Sequence, residues 1–157
     1  MSEEFESDRQ ITIIAVDDDA AIRKCLPRVF AFFGFSSSVV ESGADAITLM
    51  GEHTFDIALV DFRMPNMNGV ELCRWISEHH PNTAIVMMTG YASDAELEEA
   101  LDIGVFQCIR KPLPDLEKFG ALIKAAALSK QPTQLVCRQN ILDCIPSAEL
   151  GHSKPQS

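Results

Sequence analysis

Residues 11–23 read Ile-Thr-Ile-Ile-Ala-Val-Asp-Asp-Asp-Ala-Ala-Ile-Arg, an apolar run that stops on three consecutive acids and gives way to a helical pattern. The run ITIIAV is short and β-branched, with apolar residues at both parities, as expected of a strand whose two faces are both covered. Beyond it Ile22, Leu26, Val29, Phe30 and Phe33 recur at helical spacing, so the acids sit where a strand hands over to a helix. Three adjacent carboxylates raise one another's pKa unless a cation or hydrogen-bond donors compensate. Asp19, directly before the helix, suits an N-cap, because a short acidic side chain accepts from the free amides of a first turn. Asp17 and Asp18 remain open between solvated turn residues and a metal site.

The same unit recurs along the chain. Strand-like runs at 37–40 (SSVV), 56–61 (DIALVD), 83–89 (TAIVMMT) and 106–109 (FQCI) alternate with helical patterns. The helices are expected from Gly43 to about Glu52, around Leu72, Trp75, Ile76 and His79, from Asp94 to about Asp102, and around Leu116, Phe119, Leu122, Ile123 and Ala126. Five strands and five helices in strict alternation predict an α/β domain, with a parallel sheet between two helical layers.

The chain has 157 residues, 46% of them hydrophobic, enough for one domain of ordinary size plus a short extension. Its formal net charge of −10 argues against nucleic acid or anionic membrane as a partner through bulk charge, and favours cations or basic protein surfaces. The opening MSEEFESDRQ is not a basic then apolar signal segment, and no apolar run reaches spanning length, so the expected compartment is cytoplasmic. Five cysteines, with no Cys-x-x-Cys pair, indicate neither a zinc site nor a disulfide framework. The expected division is a polar extension over 1–9, the domain over 10–130 and a tail over 131–157, in which LVCRQNILDCI could form one short helix before Pro146. That tail is too short for an appended DNA-binding domain.

In an open parallel sheet, ligands gather beyond the carboxyl ends of the strands. The first expected strand ends in Asp17 and Asp18, the third in Asp61, the fourth in Thr89, and Lys111 follows the fifth. Each alone reads as a cap, strand or surface residue. Together, three carboxylates suit a hard cation such as Mg²⁺, and a hydroxyl and an ammonium suit phosphoryl oxygens.

In order, Asp17-Asp18, Asp61-Phe-Arg-Met-Pro-Asn-Met-Asn-Gly69, Thr89-Gly90 and Lys111-Pro112 resemble the marks of the receiver domain of bacterial two-component response regulators, over about residues 10–130. The resemblance implies the flavodoxin-like (βα)5 fold with strand order 2-1-3-4-5. It implies that Asp61 accepts a phosphoryl group from a histidine kinase or histidine phosphotransfer protein, that Asp18 and Asp61 ligate Mg²⁺, that Asp17 acts through water, and that the Arg63 backbone carbonyl completes the set. Lys111 would pair with a phosphoryl oxygen and Thr89 with another, Gly90 giving its loop room, and the Lys111–Pro112 bond is a candidate cis peptide. Partner binding, including a phosphorylation-dependent dimer, would follow the switch; without an effector domain the chain would be of the single-domain type or a piece of a longer regulator.

Two positions tune the pattern. The family usually carries Tyr or Phe three residues before the lysine, where this chain has Cys108; Phe106, expected on the same strand face, and Tyr91 are the candidates to take over part of that packing role. Arg63 and Tyr91 occupy the positions that in this family govern water access and phosphate lifetime. Two rival readings are weighed beside it. A degenerate receiver fold that only binds partners leaves intact Asp61, Thr89 and Lys111 without a task. A haloacid dehalogenase-type phosphatase shares the D-x-D of Asp17–Asp19, but has Thr where this chain has Ala21, and leaves MPNMNG unexplained.

Overall fold

The computed structural model describes residues 10–90 and 92–129. The expectations for 1–9 and for the tail and its short helix lie outside them, as does Tyr91. The elements run β1 (Thr12–Val16), α1 (Ala20–Phe32), β2 (Ser36–Val40), α2 (Gly43–Met50), β3 (Ile57–Asp61), α3 (Gly69–His79), β4 (Ala84–Thr89), α4 (Asp94–Ile103), β5 (Gln107–Arg110) and α5 (Leu116–Ser129). Every neighbouring pair of strands is parallel, and the order is β2-β1-β3-β4-β5. The chain turns outward from β1 to β2, then returns across it to β3, so the switch in strand order lies between β1 and β3. Register pairs Val16 with Val60 and Asp61 with Met88, which brings the carboxyl ends of β1, β3 and β4 to one edge.

Side chains alternate across this sheet, and each parity has its own layer. Ile14, Val16, Ala58, Val60, Ile85, Met87 and Cys108 pack with Ala46 of α2, Leu72 and Ile76 of α3 and Ala100 of α4. On the other face Ile13, Ala15, Ile57, Leu59, Val86, Met88 and Ile109 pack with Leu26 and Phe30 of α1 and Phe119 and Ile123 of α5. Both faces of β1 and β3 are thus covered, which is why their sequences are apolar without alternation. Each fully buried Leu, Ile or Phe contributes roughly 1.5–3 kcal/mol. Gly120 belongs to this packing: a Cβ there would run into the ring of Phe33.

The helix starts are set by side chains. Asp19 caps α1 by accepting from the amides of Ala21 (2.8 Å) and Ile22 (3.3 Å), the role its position in the acidic run predicts. Asn68 with Glu71 and Ser93 with Glu96 form reciprocal capping boxes on α3 and α4, and Gly104, at φ 101°, ends α4 in the left-handed region that favours glycine. Among the described residues no helix is long and apolar enough to cross a membrane.

One expectation fails. Phe106 does not share a face with Cys108: it packs with the α1/α5 layer, whereas Cys108 lies in the α2–α4 layer. The period of two holds only inside a pleated strand, and β5 begins at Gln107, leaving Phe106 just before it with its amide donating to Ile85 O (2.7 Å). Phe106 therefore packs on the face opposite to that of Cys108.

Candidate functional site

At the carboxyl edge the chain leaves β1 with Asp17 still paired to the sheet, its amide donating to Val40 O (3.2 Å). Asp17 is fully buried. Its Oδ1 accepts from the Asp19 amide (2.8 Å), and its backbone carbonyl accepts from Arg23 Nη1 (3.1 Å). Asp18, the next residue, is exposed. Asp61 ends β3 and is 5% exposed. The Lys111 ammonium lies 3.0 Å from Asp17 Oδ2 and 3.2 Å from Asp61 Oδ1, bridging the two buried carboxylates. It is brought there by the loop after β5, where its amide donates to Thr89 O (2.7 Å) and the Lys111–Pro112 peptide is cis, as its candidacy anticipated. Thr89, at the end of β4, is 4% exposed, and its hydroxyl has no hydrogen-bond partner among the described residues. A buried hydroxyl without a partner is costly.

The loop after β3 is drawn tightly over the strand end. The Gly69 amide donates to Phe62 O (2.8 Å), and a Cβ on Gly69 would clash with the Asp61 carbonyl and come within 2.8 Å of Phe62 Cα. Only glycine allows that approach, so Gly69 lets the loop close against the backbone at the end of β3. Asn66 takes the left-handed turn at φ 72° that leads into it. At Gly90 a Cβ would meet nothing within 4 Å, so there is open space beside the loop after Thr89.

The electrostatics follow from burial. Desolvation is the main cause that pushes the Asp61 carboxyl up from 3.8 to about 6; Asp17 adds to it, Lys111 opposes it, and Asp18 raises it slightly. Burial alone would lower Lys111, but its bond to Asp17 and the pull of Asp61 and Asp17 hold it above its ordinary value. Oxygen atoms of Asp17, Asp18 and Asp61 lie within 4.8 Å of one another, a cluster that could hold a metal ion. An all-oxygen, anionic set suits a hard cation such as Mg²⁺, which keeps several waters and needs few protein ligands.

A groove of about 660 Å³ opens beside this cluster, lined by Asp18, Arg63, Met64, Asn68, Arg74 and Glu96 among others. The structure therefore brings together Asp17, Asp18, Asp61, Thr89 and Lys111, and places Arg63 at the adjoining groove. Cys108 is buried within the core beside Met87, and Phe106 lies in the opposite layer. Sequence reasoning missed Glu96, whose carboxylate bonds Arg63 Nη2 (3.2 Å). The capping signature Ser93-x-x-Glu96 was its available signal, although it announces a helix start and not a tie to another loop.

Comparison with known proteins agrees with this geometry. The family model described as the response regulator receiver domain matches residues 13–124. The regulatory protein AtoC of Escherichia coli K12 is 32% identical over 114 residues, 73% of this chain and 24% of AtoC. The DNA-binding transcriptional regulator NtrC of the same strain is 33% identical over 119 residues, 76% of this chain and 25% of NtrC. The chain thus spans about a quarter of the length of these relatives. Among solved structures, a CheY-like response regulator receiver domain protein from Methanospirillum hungatei JF-1 superposes with a TM-score of 0.74 at 26% identity, covering 78% of this chain and 97% of that one. With the fold, the acid cluster and the family match in agreement, the chain belongs to the response regulator receiver domain family.

Proposed function

We propose that this domain is a Mg²⁺-dependent phosphoacceptor of a two-component signalling system, in which Asp61 takes a phosphoryl group from a histidine kinase or histidine phosphotransfer protein. The observation that carries the reading is the bridge of Lys111 between buried Asp17 and Asp61, beside exposed Asp18 and an unpartnered Thr89 hydroxyl.

With its pKa at about 6, Asp61 is ionised at neutral pH and more basic than an ordinary aspartate, which suits a nucleophile. A carboxylate oxygen forms the new O–P bond as the N–P bond of the phosphohistidine donor breaks, and the leaving imidazole takes up a proton. Asp18 and Asp61 would hold the cation directly, with Asp17 acting through water and the Arg63 backbone carbonyl completing the protein ligands. When bound, Mg²⁺ offsets the charge on the transferring phosphoryl oxygens. Lys111 is placed to pair with one phosphoryl oxygen, and Thr89 to donate to another, which would give its buried hydroxyl a partner. Gly90 and the open space beside it allow that loop to move. Arg63 and Tyr91 govern the access of water and so the lifetime of the aspartyl phosphate.

The output is a change of protein contact, a phosphorylation-dependent dimer among the forms it takes, in the cytoplasm. Apart from its own phosphorylation and dephosphorylation the domain catalyses nothing. Incubation with Mg²⁺ and acetyl phosphate, followed by intact-mass measurement, tests the reading. One phosphoryl adduct, lost in Asp61→Asn and in chelator, is expected; steady hydrolysis of acetyl phosphate that survives in Asp61→Asn would replace it with a phosphatase.

A further inference from the structure

Arg63 stands two residues from Asp61, yet its guanidinium is turned to another helix. Its Nη2 donates to Glu96 Oε1 on α4 (3.2 Å), and the group lies over the Phe62 ring, 5.6 Å from the centroid. The same Glu96 oxygen accepts the Ser93 amide (2.9 Å), while the Glu96 amide donates to Ser93 Oγ (3.2 Å). One carboxylate oxygen therefore caps α4 and holds Arg63 at once. A second pair, Arg74 Nη2 to Glu99 Oε2 at 2.6 Å, ties α3 to α4 along the same groove.

We propose that Glu96 is a positioning residue for Arg63: it keeps the guanidinium on α4, away from the acid cluster that takes the cation. The inference rests on the proposed function. Among the described residues Lys111 is the cation that pairs with the carboxylates of Asp17 and Asp61, and Asp18 is exposed in the groove that Arg63 also lines. A guanidinium released there is drawn toward those acids by its charge, and it competes with a divalent ion for the same oxygens. The Arg63 side chain is 64% exposed in the pair, so the tie is weak enough to be broken by one substitution without loss of the fold.

Glu96→Gln separates the two tasks of this side chain, since glutamine still closes a capping box but carries no charge for Arg63. Mg²⁺ binding is measured by calorimetry on the full chain for the wild type, Glu96→Gln, Arg63→Ala and the double variant. The expected result is about two- to fivefold weaker binding in Glu96→Gln, and almost no further change when the same substitution is made in Arg63→Ala. Equal weakening in both backgrounds would mean that Glu96 acts by its charge through space, and overturns the proposal, as does unchanged affinity in the presence of Arg63. Acetyl phosphate labelling of the same four proteins keeps the two readings apart. Wild type that binds Mg²⁺ but takes no phosphoryl group sinks the phosphoacceptor role while the affinities still decide on Glu96; wild type that binds no Mg²⁺ overturns both.

Discussion

Replacing Asp61 by Asn should stabilise the metal-free domain at neutral pH, although it destroys the proposed site. Burial, helped by Asp17 and opposed by Lys111, raises the Asp61 carboxyl from 3.8 to about 6. A raised folded-state pKa means that the folded chain binds this proton more tightly than the unfolded chain does. The metal-free domain therefore loses stability as pH rises through the window from about 4 to 6, and carries the full penalty above it. Two pKa units at ~1.4 kcal/mol each give a penalty of about 3 kcal/mol. Asparagine has nearly the same shape and no charge, so it escapes this penalty. Urea unfolding in chelator should show Asp61→Asn about 3 kcal/mol more stable than wild type near pH 7.5, the gap shrinking to under ~1 kcal/mol near pH 4. Saturating Mg²⁺ should narrow the gap at neutral pH, because a cation held by the native cluster stabilises the wild type more than a variant that lacks the Asp61 carboxylate. An Asp61→Asn protein that is no more stable than wild type at pH 7.5, or a gap independent of pH, would refute the reasoning.

Other substitutions divide the roles further. Asp18→Ala should abolish Mg²⁺ binding by calorimetry while leaving thermal stability equal or higher, whereas Asp19→Ala should cost about 1 kcal/mol through the lost cap of α1 and leave Mg²⁺ affinity nearly unchanged. Lys111→Ala should act opposite in sign to Asp61→Asn: it leaves the fully buried Asp17 carboxylate without its cation and should lower stability by roughly 3 kcal/mol in thermal denaturation. Gly69→Ala should force the loop away from Asp61 and Phe62, costing ~2 kcal/mol or more and weakening Mg²⁺ binding together, as unfolding and titration would show.

The parts of the fold that were legible in the sequence are those governed by local rules. Apolar runs without alternation announced strands covered on both faces, and helical spacing from Ile22 to Phe33 announced α1. The acidic run could be split because a cap has a fixed place relative to a helix, and Asp19 occupies it. The convergence of Asp17, Asp18, Asp61, Thr89 and Lys111 was legible because parallel strands all present their carboxyl ends at one edge. Phe106 was misplaced because face assignment needs the first pleated residue, and strand ends depend on the pairing partner, here Ile85 of β4. The tie from Arg63 to Glu96 was illegible for a related reason: it joins residues 33 apart in the chain, through side chains whose reach no period encodes.

The central claim is that Asp61 carries the phosphoryl group, and locating the adduct tests it most directly. After reaction with acetyl phosphate and Mg²⁺, borohydride reduction converts an aspartyl phosphate to homoserine, and peptide mass mapping finds the residue changed. The account predicts homoserine at position 61 and nowhere else, and none when Mg²⁺ is chelated. Homoserine at Asp17 or Asp18, or an unmodified Asp61 in a protein that binds Mg²⁺, would contradict it.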